Sequence, residues 1–142
     1  MRLVDEVGGD VGGLSQLRAL IASGRKPGIL VALDFDFIEV EAGRAVFAGT
    51  LGEHAYNPIG AVHGGYAATL LDSACGCAAH SRLTSSQAST TPELKVAYHK
   101  RITKDTGLLR AEGNLLSFGQ KVAFAEAERG SGIEVVRHIQ KG

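Results

Sequence analysis

Between Tyr66 and Ala79 the sequence YAATLLDSACGCAA holds no proline and a single charged residue, Asp72, and it is introduced by His63-Gly64-Gly65. A run of helix formers entered through a glycine pair predicts one helix starting near Gly64. A helix on a protein surface carries several long charged side chains on its outer face. This one has none, so it must be covered on nearly all sides by the rest of the chain.

Strand patterns on both sides of the helix can supply that cover. Ala32–Val40 alternates for much of its length, Glu41-Ala42-Gly43 reads as a tight turn, and Arg44–Leu51 as the returning strand of a hairpin. Four more strand candidates follow the helix: Ser89–Arg101, Gly107–Leu116, Lys121–Glu128 and Ile133–Ile139. Strand, strand, long helix and a meander of strands predict an α+β domain, with an antiparallel sheet packed on one dominant helix. Ahead of the hairpin, Leu14–Ile21 shows helical spacing between Gly12-Gly13 and Ser23-Gly24, which predicts a short amphipathic N-terminal helix. At 142 residues the chain, 1–142, fits one domain with a sizeable core.

Stepping the long helix at 100° per residue turns Ala67, Leu70, Leu71, Ala74, Cys77 and Ala78 away from Asp72, as the core face. Gly65, Ala68, Thr69, Gly76 and Ala79 lie beside the acid. An acid among tiny neighbours is expected where another backbone or a ligand comes close. A carboxylate under cover costs free energy unless it is hydrogen-bonded or used. The first amides of a helix lack intrahelical partners and carry the positive end of its dipole. Without side chains at Gly64 and Gly65, a carbonyl can sit against those amides, as acyl transfer requires. Read alone, the glycines favour a flexible turn, and His63 suits a structural role equally well.

Gly64 and Asp72 are eight residues apart, about 12 Å along a helix axis, whereas attack on a carbonyl needs contacts of about 3–3.5 Å. Two such helices lying antiparallel across a dimer would bring the acid of one to the amides of the other, so a composite interface site is expected.

Other function classes are disfavoured. Fifteen basic residues balance fifteen acidic ones, leaving no electrostatic footprint for nucleic acid or an anionic membrane. The N-terminus lacks the apolar core of a secretory signal, and no run approaches the roughly 20 apolar residues of a membrane span. A cytoplasmic protein is expected. Cys75 and Cys77 do not form a C-x-x-C pair, and His54, His63 and His80 have no ligand spacing, so neither metal nor cofactor is expected. No G-x-S-x-G elbow of a serine hydrolase occurs.

His54, Asn57-Pro58, Gly60, His63-Gly64-Gly65, Leu71-Asp72 and Ala74 together resemble the hotdog-fold acyl-CoA thioesterases, and within them the PaaI-like group named for phenylacetate degradation. The later stretches TTPELKVAY and SFGQKVAFAEAE are similar to that group's strands. The resemblance implies a sheet curled around a central helix and homodimers often paired into homotetramers. It also implies metal-independent hydrolysis of an acyl-CoA to free acid and coenzyme A, with an aryl or medium-chain acyl group. Under it, the Gly64 amide polarises the thioester carbonyl with help from Asn57. Asp72 of the facing subunit is base or nucleophile, Thr91 helps hold the water, and His63 positions the loop. Gly65 admits the substrate, while Gly119, Gln120 and Lys121 border the CoA channel. Two departures stand out: Pro92 replaces an apolar residue, and Lys100-Arg101 replaces an Arg-Pro pair. Two other readings use the same fold, a non-catalytic acyl-CoA-binding module and a dehydratase. The dehydratase pairs its helix acid with a His-Phe-Pro-Gly type loop, which is missing here.

Overall fold

The computed structural model describes residues 3–8, 11–85, 87, 89–98, 107–118, 122–129 and 133–141. Its elements are α1 (Leu3–Gly8), α2 (Gly13–Ser23), α3 (Gly28–Leu33), β1 (Asp36–Glu41), β2 (Arg44–Thr50), a 3-10 turn (Glu53–Ala55), α4 (Gly64–His80), β3 (Ser89–Tyr98), β4 (Leu108–Phe118), β5 (Val122–Arg129) and β6 (Ile133–Lys141). All strand pairings are antiparallel, in the order β1-β2-β4-β5-β6-β3. The long α4 packs against the sheet and touches all six strands. This is the hotdog fold, with α+β composition.

The glycines at 12 and 24 do bound the N-terminal helix: Gly12 is the N-cap of α2, and Gly24 ends it in the left-handed region at φ 70°. Gly43, at φ 81°, makes the β1–β2 turn. The hairpin starts later than alternation suggests, because Gly28–Leu33 forms α3 behind Pro27, and Asp34 then reverses the chain in a left-handed conformation. Neither α3 nor α1 is legible as a helix in the sequence, since six residues hold too little periodicity.

The expected meander holds only for β4, β5 and β6. β3 crosses to the far edge and pairs with β6, while β4 pairs with β2 of the first hairpin. Short connections make consecutive strands neighbours by default, but here a 17-residue helix lies between β2 and β3 and carries the chain across the sheet. Pro92 therefore sits on an edge strand, where a missing donor is tolerated, and the β3–β6 register shifts between Thr90 and Glu93, bracketing it.

In α4, Leu70 and Leu71 are fully buried with Phe35, Phe47 and Leu109 in the main core cluster. Full burial of each leucine stabilises the fold by about 1.5–3 kcal/mol. The helix lies so close to β4 that a Cβ at Gly113 would collide with the backbone of Ala74 and Cys75. The other end of α4 is tied to the hairpin by the buried Ser81, whose Oγ accepts from Gly43 N at 2.8 Å and donates to Ala78 O at 2.6 Å.

On the sheet face away from α4, Arg44 joins three strands. Its Nε donates to Glu112 Oε1 at 2.8 Å and its Nη1 to Glu39 Oε2 at 3.0 Å, while Arg110 Nη1 reaches Glu112 Oε2 at 3.3 Å. The hydrogen bond from Arg44 holds the Glu112 carboxyl below its usual range, against the opposing effect of burial. As pH falls, the unfolded chain takes up the proton first, so stability from this group is present above the ordinary carboxylate value of about 4.3 and is lost as pH drops through the lower folded value. Glu112→Gln should cost up to about 1 kcal/mol at neutral pH for a pair this exposed. The gap in melting temperature to wild type should close toward pH 3. A gap that stays constant with pH would refute the contribution.

Candidate active site

The segment leading into α4 is a compact loop built by the residues of the sequence motif. Asn57-Pro58-Ile59-Gly60 is a β-turn, with Gly60 N donating to Asn57 O at 3.0 Å and Gly60 at φ 80°. Proline at the second position and asparagine at the first are the residues such a turn favours. The Asn57 Oδ1 accepts from Ile59 N at 3.1 Å and Ala61 N at 3.0 Å, and Asn57 N donates to Ala61 O at 2.8 Å. A bridge between Tyr56 and Val62 and a bond from His63 N to Ala55 O at 2.7 Å close the loop. The Asn57 side chain is thus oriented with its carbonyl oxygen turned into the loop and its amino group as the remaining donor.

His63 is the N-cap of α4, and its Nδ1 accepts from Gly65 N at 2.8 Å. Accepting at Nδ1 places the ring proton of the neutral imidazole on Nε2. A Cβ at Gly65 would lie 2.9 Å from that Nδ1, so this glycine makes room for the capping ring. Sequence reasoning treated the Gly65 amide as part of a carbonyl cradle; the structure commits it to His63. Gly64, the first residue of α4, is exposed at the positive end of the helix dipole.

Asp72 sits in the middle of α4, half-buried, with its Oδ1 buried. It lines a cavity of about 240 Å³ together with Ser73, Gly76 and Cys77 of α4, and with Leu30, Phe37 and Phe47 opposite. Two positions on the helical wheel differ from expectation. Ala79, placed beside the acid, is fully buried, and Cys77, placed in the core, is half-buried on the cavity wall. Ala79 packs into the main core cluster, whereas Cys77 borders the space that α3 also lines.

The structure does not bring Gly64 and Asp72 together within one chain, since they lie two helical turns apart on α4. The three histidines do not converge. His63 caps the helix, His80 Nε2 lies 2.9 Å from Gln16 Oε1, and His54 meets the Tyr66 ring edge-on at 5.7 Å. Among the described residues no group of three His, Cys, Asp or Glu could hold a metal, and no helix is long and apolar enough to cross a membrane. Thr91 lies on β3 within the register shift. Gly119, Gln120 and Lys121, and with them Lys100 and Arg101, lie outside the described residues. The contribution of α3 to the cavity was missed by sequence reasoning. The apolar run Ile29-Leu30-Val31, bounded by Pro27-Gly28, was the available signal.

A hotdog sheet thus surrounds a helix with a half-buried acid and a glycine-led N-terminus. Residues 59–129, half of the chain, match the Thioesterase superfamily, and the protein belongs to that family. Solved structures that share its fold include the following three. A thioesterase family protein from Silicibacter pomeroyi is 20% identical with a TM-score of 0.78, covering 92% of this chain and 98% of its own. A phenylacetic acid degradation-related protein from Ralstonia eutropha is 21% identical with a TM-score of 0.75, covering 87% and 97%. A point mutant of the phenylacetic acid degradation protein PaaI from Thermus thermophilus is 18% identical with a TM-score of 0.70, covering 80% and 98%. No curated protein sequence matches the chain.

Proposed function

We propose that this protein hydrolyses an acyl-CoA, carrying an aryl or medium-chain acyl group, to free acid and coenzyme A in the cytoplasm, with no metal or cofactor. The observation that carries the reading is Asp72, the one charge in the body of α4, half-buried on the wall of an apolar cavity. The site is composite. The Gly64 amide of one subunit polarises the carbonyl, with the Asn57 amino group beside it, and Asp72 of the facing subunit acts as base or nucleophile. A carboxylate facing a helix N-terminus is stabilised by the dipole. His63 holds the loop by capping the helix, Thr91 orients the water, and Gly119, Gln120 and Lys121 border the CoA channel. Homodimers, paired into a homotetramer, are the working state.

Subunit mixing tests the composite site. Gly64→Pro removes the polarising N–H, and proline suits the first helical position after His63, which has φ −66° and ψ 129°. Alone, Gly64→Pro and Asp72→Asn should each be nearly inactive. A heterodimer of the two keeps one intact site of two and should recover up to about half of wild-type activity. No recovery after verified exchange would refute the shared site.

A further inference from the structure

We propose that the cavity between α3 and the middle of α4 receives the acyl group, and that Ile29 on α3 and Gly76 on α4 set the largest group it takes. This rests on the thioesterase reading above. Asp72 and Gly76 are four residues apart, hence on one face of α4 and about 6 Å apart along its axis. Both line the cavity. A space that begins at the reacting carboxylate and runs one turn toward the C-terminal end of α4 can be entered from the carbonyl by one of its two substituents. The CoA arm carries polar amides and phosphates. The walls opposite α4 are Leu20, Leu30, Phe37 and Phe47, which suit the acyl arm alone.

The dimensions restrict that arm. The cavity holds about 240 Å³, more than the ~150 Å³ that accepts benzene and less than the ~300 Å³ at which drug-sized pockets begin. Gly76 lines the space and contributes no side chain to it. Ile29 lines the cavity yet is 52% exposed, which places it at the mouth. Its helix is anchored to the core through the buried Leu30 and the partly buried Leu33. Pro27 and the left-handed Asp34 bound this short wall. Val31, on the same helix, is 63% exposed and does not line the cavity.

The test compares kcat/KM over straight-chain acyl-CoAs from acetyl to palmitoyl, in wild type, Gly76→Leu, Gly76→Ala, Ile29→Ala and Val31→Ala. Gly76→Leu should lose activity progressively with chain length, by about tenfold or more at the longest chain accepted by wild type. Gly76→Ala, which favours the helix, should show the same trend in smaller measure and covers the case that leucine prevents folding. Ile29→Ala should move the optimum to longer chains, with the Val31→Ala profile that of wild type. An equal loss at every chain length in the Gly76 variants, or an Ile29→Ala profile equal to wild type, would overturn the proposal. If wild type turns over no thioester, the hydrolase reading fails by itself. Binding of S-alkyl-CoA thioethers of the same lengths then reads the cavity directly. The same length-dependent shifts support the assignment; no binding, or unshifted binding, overturns it.

Discussion

Asp72→Asn should lower kcat by about 10²–10⁴-fold, the span that a positioned proton-transfer group contributes, while the fold and KM should stay close to wild type. Asparagine has the same shape and keeps an oxygen in place, so the cavity wall of Ser73, Gly76 and Cys77 is preserved. What it removes is the charge and the ability to take a proton or form an acyl bond. A fall in kcat with little change in KM marks a group used in the transition state rather than in substrate binding. The measurement is steady-state release of coenzyme A, paired with thermal unfolding to show that the variant is folded. Turnover within a fewfold of wild type would remove Asp72 from the mechanism and leave the cavity as a binding site.

Gly113→Ala should destabilise the protein by about 1–3 kcal/mol or more, the usual cost of forcing extra volume into a packed interior. Gly113 lies on β4 opposite Ala45 of β2 and Ala127 of β5, in the middle of the sheet. Its added Cβ would collide with the C and O of Ala74 and approach Cys75 N to 2.7 Å. These are backbone atoms in the centre of α4 and cannot rotate aside, so helix and sheet must separate. At roughly 2–4 °C per kcal/mol, the melting temperature should fall visibly. Gly28→Ala is the internal control, since a Cβ there meets nothing within 4 Å and the residue has no positive φ. Equal melting temperatures for the two variants would mean that α4 does not lie as close to β4 as the structure places it. Because Asp72 is two residues before Ala74, separation at Gly113 should also lower turnover.

Much of the fold was legible because its elements are long and locally signalled. The bare apolar stretch 66–79, with glycines before it, could be only a covered helix, and the observed α4 is Gly64–His80. The later strands were found within a few residues of their observed ends, since alternation and turn residues mark them. The short α1 and α3 were missed for want of periodicity, and α3 turned out to wall the cavity. Strand order was misread because β3 pairs with β6 rather than β4, and sequence adjacency carries no information about a strand that a helix has carried across the sheet.

The candidate site divides in the same way. Asp72, His63 and the glycines stood out in the sequence because their residue types are unusual in such a helix. That His63 uses its ring to cap the Gly65 amide, and that Asn57 turns its oxygen into the loop, depends on distances of 2.8 to 3.1 Å. Local chain chemistry determined by itself that one nearly uncharged helix must be buried under strands with a lone acid in it. Only the tertiary structure decided which strands lie against it, which small residues permit the close approach, and that the acid opens onto a cavity. Helix formation is set by neighbours a few residues away, whereas a cavity is a space left between elements distant in sequence, here α2, α3, β1, β2 and α4.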